Sequence, residues 1–456
     1  MKYFAILKDS LREALDSTVL LVLWGLSTLV IVFVALLSFS PQPAEETMGQ
    51  FMGPDSRFFY AINSHKPEVM MAEGSKQAVH RPVRFNLEKV TLLRGDANSP
   101  ESDYELTITA KIEENAARKK MMHGGMPEPP DAEKKKLPLP TDEQIIKWAR
   151  SPFDSADELG LLKFEKIELT ASVGGSKTLR VVVLGTSRTH RIWASHPNIA
   201  GYPLEGISVP LGFQLYNLTS TVLAIGAWVA VLAGVVITSF FIPNMLRKGT
   251  IDLLLVKPIE RWMLLVYKYI GGLSFIFLST AYAIGGIWLV LGIRTGLWAN
   301  GALVMILTIT FFFAILYAVS TLVGVVTRST VTAIMVTIGA WFCFFVIGQF
   351  YTVMTTIDRG EKMMAEVGMG KPEEQRWGDG YIAKSARVLH FVTPRTGDLN
   401  TLNDMLVFTD FMTGDLRDMP KLYSTDVNFL ESLIVSTLWI ALCLGLASLW
   451  FTYKDY

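Results

Sequence analysis

The chain has 456 residues, half of them hydrophobic and only 18% charged. A soluble globular chain carries about 25% charged residues, so this composition favours a membrane protein. Lys plus Arg and Asp plus Glu both number 42, and this zero net charge excludes the basic surface typical of nucleic-acid binding. Cys343 and Cys443 both lie in apolar runs, so the sequence predicts no disulfide framework. The six histidines show no metal-ligand spacing.

The first 40 residues predict a cytoplasmic lead-in helix followed by the first transmembrane helix. Residues 1–16 are amphipathic and carry three basic residues, and residues 17–39 are uncharged. About 20 apolar residues suffice to cross a bilayer. A cleaved signal peptide is the alternative, but its apolar core has about 7–15 residues. The longer run favours an uncleaved helix.

Residues 41–213 predict an extracytoplasmic α+β domain. The alternating runs VRFNLEKVTLL, YELTITAKI, KFEKIELTAS and TLRVVVLG are typical of β-strands. TDEQIIKWAR, at 141–150, predicts a short helix capped by Thr141 or Asp142. A charged stretch rich in Pro and Gly, near 117–140, predicts a flexible insertion. Two interpretations stay open: a structural or gating cap, or a domain that binds substrate or a partner.

Five further uncharged runs predict transmembrane helices, at 215–242, 269–293, 301–326, 330–355 and 432–453. The domain 214–356 thus holds helices two to five, and 431–456 holds helix six with a short cytoplasmic tail. Between them, 357–430 predicts a second extracytoplasmic segment with two amphipathic pieces, YIAKSARVLHFV and LNTLNDMLVF.

Six spans place both termini in the cytoplasm, in agreement with the basic inner flanks. Arg294 alone falls on the outer side, where a long side chain can extend to the interface. The predicted fold class is therefore a mainly α-helical polytopic membrane protein with six transmembrane helices. A β-rich extracytoplasmic domain is inserted between helices one and two.

No span carries a charged residue or a histidine in its interior. Their absence disfavours an ion-coupled carrier, which commonly uses intramembrane carboxylates, and an intramembrane metalloprotease. The milder polar groups predict either hydrogen bonds between helices or the lining of a translocation path. These groups are Thr308, Thr310, Tyr317, Ser320, Thr321, Thr337 and Gln349.

Two glycine pairs, Gly271/Gly272 and Gly285/Gly286, predict close packing of the third span, with Ala281 on the same face. The stretch VGGSKT is not a P-loop, because Ser176 stands where the glycine before the lysine is required. Any work driven by ATP must therefore use a different chain.

The stretch 243–268, PNMLRKGTIDLLLVKPIERWMLLVYK, predicts a cytoplasmic elbow that connects spans two and three. It is unusually apolar for a connection and holds five basic residues: Arg247, Lys248, Lys257, Arg261 and Lys268. Pro243 is expected to end the second span.

Within the elbow, Thr250 is expected to cap a short helix after Gly249. Pro258 is expected to begin a second helix with Glu260 in its first turn, and Trp262 is placed as an interfacial aromatic. We therefore expect a helix, a kink and a helix along the cytoplasmic surface, able to transmit a push into the third span.

RKGTIDLLLVKPIERWMLLVYKYIGGL resembles the segment after the second span in permease subunits of ABC type-2 exporters. Arg247 and Lys248 precede the resemblance motif, where many relatives carry glutamates, and Asp252 replaces a more usual Glu. The order of one span, a long outer segment and five further spans fits the same family. The matching residues are Gly249, Thr250, Asp252, Leu254, Leu255, Lys257, Pro258, Arg261 and Lys268.

This resemblance implies a transport subunit with no catalytic residues, no metal and no cofactor of its own. Two permease subunits, identical or different, would pair in the bilayer over two copies of a separate ATPase that holds ATP and Mg. The elbow would contact that ATPase in a bacterial plasma (inner) membrane. The alternatives are a membrane-anchored structural or sensory protein that acts through its extracytoplasmic domain, and an ion-coupled carrier.

Overall fold

The computed structural model describes residues 18–52, 83–112, 140–158, 160–173, 176–204, 209–246, 260–366, 380–411 and 428–454. The predicted lead-in helix, nearly all of the insertion near 117–140 and most of the elbow lie outside these residues.

The helices, numbered in chain order, are α1 Thr18–Leu36, α2 Ala44–Met52, α3 Asp142–Glu158, α4 Leu211–Thr238, α5 Phe241–Met245, α6 Arg261–Thr295, α7 Asn300–Thr327, α8 Thr330–Glu366, α9 Tyr381–Val392, α10 Thr396–Phe411 and α11 Phe429–Tyr453. The strands are β1 Leu37–Pro41, β2 Val83–Arg94, β3 Asp103–Ile112, β4 Leu162–Val173, β5 Ser176–Gly185, β6 Ala194–Ile199, β7 Tyr202–Pro203 and β8 Val209–Pro210.

The chain forms two compact units. The β unit comprises the described residues from Ser38 to Leu215, and the helical unit comprises α1 and the described residues from Tyr216 onward. Each unit has its own buried side chains, and each is described separately.

The main sheet of the β unit has the antiparallel strand order β2-β3-β5-β4. Its four strands coincide with the four predicted runs. Alternate residues of the two central strands point to one face, where Ile108 and Leu179 are fully buried and pair across the sheet. Helix α3 covers this face with Ile145 and Phe153. The period-two pattern therefore places one face in the core and leaves the other polar.

Helix α3 begins with a reciprocal cap. The Gln144 N–H donates to Thr141 Oγ1 at 3.3 Å, and the Thr141 N–H donates to Gln144 Oε1 at 3.0 Å, so Thr141 is the capping residue. The helix extends to Glu158, beyond the predicted residue 150, because Phe153 and Ala156 continue its buried side.

A second, smaller sheet pairs β1 with β6, and β6 in turn with β7 and β8. Trp193 beside it is 2% exposed and donates its indole N–H to Gln42 O at 2.9 Å. The first span was expected to continue to Phe39, but α1 ends at Leu36. The prediction was too long because Leu37–Pro41 extends to pair with β6.

The helical unit contains five helices long and apolar enough to cross a membrane: α4 with α5, α6, α7, α8 as far as Asp358, and α11. They coincide with the five later spans predicted from sequence. Over the described residues, α1 is a shorter apolar helix. The apolar stretch of α7 is buried to the greatest extent, which makes α7 the central helix. The chain is thus a mostly helical polytopic membrane protein.

Helix α1 packs on α6 through specific contacts. Trp24 stacks on Tyr282 with ring centroids 5.3 Å apart, and Thr28 Oγ1 lies 2.7 Å from the Tyr282 hydroxyl. At the end of α1, Arg294 Nε donates to Ala35 O at 3.1 Å. Arg294 thereby satisfies a carbonyl at the C-terminus of a helix, where a cation is favoured.

The second span does not end at Pro243 as predicted. Helix α4 stops at Thr238, and Pro243 lies inside the short helix α5. A proline ring clashes with the carbonyl four residues earlier, which here belongs to Ser239, so the break occurs one turn before the proline. The Ser239 backbone N–H and the Ser239 hydroxyl both donate to Val235 O, at 3.0 Å and 2.5 Å.

Candidate coupling site and polar cluster

Only the two ends of the predicted elbow, residues 243–246 and 260–268, lie within the described residues. Glu260, Arg261 and Lys268 are described. The other residues predicted for this site lie outside the described part of the chain: Arg247, Lys248, Gly249, Thr250, Asp252, Leu254, Leu255, Lys257 and Pro258.

The described part corrects the expected second elbow helix. Glu260 has an extended backbone and is the N-cap, so the helix begins at Arg261 and Glu260 is not in its first turn. From Arg261 the helix continues without interruption to Thr295. Residues 261–268 are therefore the first turns of the third span. A push on Arg261 acts directly on the helix that crosses the membrane.

Arg261 and Trp262 stand where α6 begins. Arg261 Nη1 donates to Lys454 O at 3.3 Å, which links the start of α6 to the end of α11. The Lys454 ammonium lies 5.0 Å from the centre of the Trp450 ring. Trp262 is 44% exposed, and its indole donates to the Glu260 carboxylate. Lys268, two turns further on, is half-buried.

A buried apolar cluster lies at this end of the bundle, which we call the elbow end. Leu246, in the first part of the elbow, and Leu264, in its last part, both belong to this cluster. Val325 of α7 and Phe451 of α11 complete its contacts with the central and last helices. Packed interiors transmit strain. Because the cluster joins α5, α6, α7 and α11, displacing the elbow would strain the packing of all four helices. The cluster residues are Ile242, Met245, Leu246, Leu264, Leu265, Val325, Ala447 and Phe451.

At the opposite end of the bundle, α9 and α10 are consecutive helices joined by a short link, over residues 381–411. We call this pair of helices the hairpin and this end of the bundle the hairpin end. Asn403 accepts a 2.6 Å hydrogen bond from Thr308 of α7, and the Asp410 carboxylate accepts from the Gly301 N–H. Thr308 lies about 12 Å along the helix axis from Asn300. The hairpin therefore inserts between the spans instead of resting on their ends.

Ionic and polar pairs fix this hairpin to α8 and α11. Arg395, which is 8% exposed, contacts Glu431 at 2.6 Å. Asp398 accepts from the Ser432 hydroxyl and lies 3.7 Å from His390 Nε2.

Three contacts show how α9 lies along α8 and α11. The His390 ring stacks on Tyr351 with centroids 3.7 Å apart, and Trp439 donates to Val392 O at 2.5 Å. Arg387 pairs with Asp358 at 3.3 Å, so successive turns of α9 meet successively earlier residues of α8. The two helices are therefore antiparallel.

Asp404 stands apart from these pairs. Its Oδ1 accepts from the Ser220 hydroxyl of α4 at 3.0 Å. Burial raises the pKa of this carboxyl, an effect that the Ser220 hydrogen bond partly opposes. Among the residues that the structure describes, no Lys, Arg or His lies within ion-pair distance of Asp404.

Sequence reasoning missed this polar cluster because it searched for charges only within the spans. The spans are uncharged, as noted, but the segment 380–411 brings charge between them. A signal was present in LNTLNDMLVF, whose Asn403 and Asp404 interrupt an apolar face. Isolated Asn and Asp residues in an apolar helix indicate buried polar contacts in a membrane protein.

The polar groups predicted within the spans divide between the two interpretations. Thr308 bonds to Asn403, and Ser320 Oγ lies 2.8 Å from Ser239 Oγ of the α4–α5 link, so both connect different elements. Thr310 and Thr337 donate to carbonyls of their own helices. Thr308 also lines a pocket, and the lining of a translocation path stays a prediction.

The family model described as ABC-2 family transporter protein matches residues 5–456. No curated protein and no solved structure shows a significant match to this chain. The family match spans nearly the whole chain and agrees with the several apolar helices of the structure. The protein is thus the membrane permease component of an ABC transporter, a component that associates with an ABC ATPase. The chain belongs to the ABC-2 family of transporter proteins.

Proposed function

We propose that this permease is the membrane half of an ATP-driven exporter. We further propose that the elbow 243–268 contacts the ATPase and moves with its conformational change. The observation that carries the proposal is the cluster at the elbow end. It joins the first and last parts of the elbow to α7 and α11. A force applied to the elbow would reach all these helices without passing through a flexible joint.

The wider arrangement follows the family. Two ATPase copies bind below two permease subunits, identical or different, in a bacterial inner membrane. Six spans, with α1 as the first, place both termini and the elbow in the cytoplasm and the β unit outside. The basic residues of the elbow support this orientation. ATP and Mg belong to the partner ATPase.

The elbow residues then have separate roles. Arg247, Lys248 and Lys257 offer charge to the ATPase surface, while Leu254 and Leu255 offer an apolar contact. The sequence predicts that Thr250 caps the contact helix after Gly249 and that Pro258 lies at the kink. Arg261 and Lys268 carry the movement into α6, since both lie on that continuous helix.

The variant Arg261→Glu tests this coupling. It reverses the charge where α6 begins and removes the donor to Lys454 O. We expect normal membrane insertion but transport reduced roughly fivefold or more, the range of ordinary coupling free energies. The measurement is ATP-dependent transport by the permease co-reconstituted with its ATPase, beside the amount of protein inserted. A Gly insertion beside Pro258 should act in the same way.

Arg328→Glu is the matched control, because Arg328 occupies the short link between α7 and α8. Transport by this variant should stay close to that of the unmodified protein. Unimpaired transport by Arg261→Glu would remove the elbow from the mechanism. Transport that follows an ion gradient and ignores ATP would favour the ion-coupled carrier instead.

A further inference from the structure

A small pocket of about 90 Å³ lies between α4, α7 and α10 near the hairpin end. Its polar wall includes Asp404, Asn400, Asn403 and Thr308, and its aromatic wall includes Trp228 and Phe312. Asp404 is the one charged residue of this lining. The pocket thus combines a carboxylate, amide oxygens and aromatic rings in a small volume.

Asp404 differs from the other carboxylates at this end of the helical unit. Asp358 and Glu431 pair with arginines, Asp398 contacts Ser432 and His390, and Asp410 accepts from a backbone N–H. Among the described residues, Asp404 accepts a hydrogen bond only from the Ser220 hydroxyl, and it is an exposed residue. A carboxylate and a cation attract each other more strongly near a protein surface than in bulk water. Its placement at a pocket wall therefore indicates a cationic ligand.

A larger apolar groove of about 420 Å³ adjoins this pocket. It is lined by α1, α4 and α6, with Leu26, Leu223 and Ile284 among its residues. Ser279 and Thr280 also line it, but their hydroxyls donate to carbonyls of their own helix. Ala227 and Ile309 line both the groove and the small pocket. The polar pocket and the apolar groove are therefore adjacent.

We propose that the pocket and the groove together bind one amphiphile, a protonated amine with a single long apolar chain, as cargo of the transporter. Its ammonium group lies in the small pocket against Asp404, and its chain occupies the groove. As an assignment of cargo, this rests on the exporter function proposed above. As a binding site, it rests on the helical unit alone.

The chemistry of the pocket selects an amine that carries N–H groups. A protonated amine donates to Asp404 and to the amide oxygen of Asn400, and aromatic rings such as those of Trp228 and Phe312 attract cations. A pocket of about 90 Å³ is small, which suits an ammonium group. The groove volume falls within the roughly 300–1,000 Å³ of ligand pockets.

The test is binding of radiolabelled hexadecylamine to the full chain in nanodiscs of phosphatidylcholine. Hexadecanol and palmitate have the same chain length and serve as uncharged and anionic competitors. We expect saturable binding that unlabelled hexadecylamine displaces and the two competitors do not. Equal competition by hexadecanol would overturn the proposal, because the chain alone would then account for binding.

Asp404→Asn should weaken hexadecylamine binding about tenfold or more, the loss expected for a hydrogen bond to a charged group. Asp358→Asn is the matched control, since it removes a carboxylate that already has a partner, and it should bind as the unmodified protein does. Unchanged binding by Asp404→Asn would overturn the proposal.

Gly226→Phe tests the groove. Gly226 lines the groove and a Cβ there meets no atom within 4 Å, so a phenylalanine at this position should block the chain. Gly445→Phe is equally unobstructed but lies outside the groove, and it should leave binding intact. Equal binding by the two variants would remove the groove from the site.

A measurement of ATP hydrolysis distinguishes a failure of the proposed amine site from a failure of the proposed exporter function. If the reconstituted complex hydrolyses ATP and hexadecylamine raises the rate in the unmodified protein but not in Asp404→Asn, the amine is cargo. If hydrolysis occurs but ignores the amine, the cargo assignment is wrong. A complex in which the permease never couples to ATP would contradict the exporter function, while the binding measurements would still decide the site.

Discussion

Asp404 combines two properties that a purely structural residue would not need. Burial raises the pKa of its carboxyl, and no cation among the described residues compensates its charge. A folded-state pKa above the unfolded value means that the ionised carboxylate destabilises the fold at neutral pH. This destabilisation disappears as the pH falls below the unfolded value. Residues that lower stability in this way are common where a ligand is bound.

We therefore predict that Asp404→Asn does not lower the melting temperature at pH 7.5 and raises it slightly. The difference should vanish at acidic pH, where Asp404 takes up a proton. Glu431→Gln provides the contrast, because it removes the charge that pairs with buried Arg395 and should cost about 1–3 kcal/mol. Thermal unfolding of the detergent-purified chain measures both. A clear loss of stability in Asp404→Asn would mean that this carboxylate supports the fold.

At the residue scale, the sequence predicted caps and missed pairs. Thr141 was found because a cap depends on residues three positions apart. The contact between Arg395 and Glu431, or between Thr308 and Asn403, joins residues far apart in the chain. No local pattern contains that information. The interior of each span was uncharged as predicted, while the charge that lies between the spans comes from a different segment.

Among the helices, the glycines of α6 show how packing separates residues that look equivalent in sequence. A Cβ at Gly272 would lie 2.5 Å from the Tyr317 ring, and one at Gly286 would lie 2.3 Å from Ile31. A Cβ at Gly285 meets no atom within 4 Å. The predicted close packing is thus confirmed for Gly272 and Gly286 but does not apply to Gly285.

Gly272→Ala should lower stability by about 1–3 kcal/mol, because Tyr317 is fully buried and its ring must move. Gly285→Ala should be neutral or stabilising by up to about 1 kcal/mol, since alanine favours a helix more than glycine does. Thermal unfolding of the two variants under the same conditions makes the comparison. Equal losses would show that α6 responds to helix propensity and not to packing at Tyr317.

The periodicity and hydropathy of the sequence predicted which segments are helices and which are strands. They did not predict where each helix begins and ends. Alternation located β2 to β5, and apolar length located the long helices. The end of α4 was misplaced because the effect of Pro243 reaches back to the carbonyl of Ser239. The start of α6 was misplaced because Glu260 caps the helix, and the end of α1 was misplaced because β1 pairs with a distant strand.

For the whole molecule, the proposed orientation makes a prediction about sidedness. In a variant with Cys343 and Cys443 replaced by serine, a cysteine at Tyr202 of the β unit should react with a membrane-impermeant maleimide from outside intact cells. Tyr202 is 80% exposed. A cysteine at Trp262, which lies where α6 begins, should react only after permeabilisation. The reverse labelling pattern would show that the topology is opposite to the proposed one.

The general plan of the molecule was accessible from sequence because hydropathy and a local motif carry it. The β unit and the polytopic helical unit both appear where composition changes along the chain. The candidate ligand site was not accessible, because its walls come from α1, α4, α6, α7 and α10. Only the fold brings Asp404, Trp228 and Leu223 near one another.

The helical hairpin 381–411 also bears on how the protein is made. A charged residue at the centre of a helix raises the free energy of translocon insertion by about 2.5–3.5 kcal/mol, and none of the long apolar helices carries one in its interior. Each span can thus enter the bilayer unaided, while Asp398 and Asp404 arrive later on a segment that docks between spans already in place. Biogenesis therefore separates into insertion and maturation. Defects in the hairpin would yield a chain with correct topology that fails the second step and becomes a target for membrane proteases.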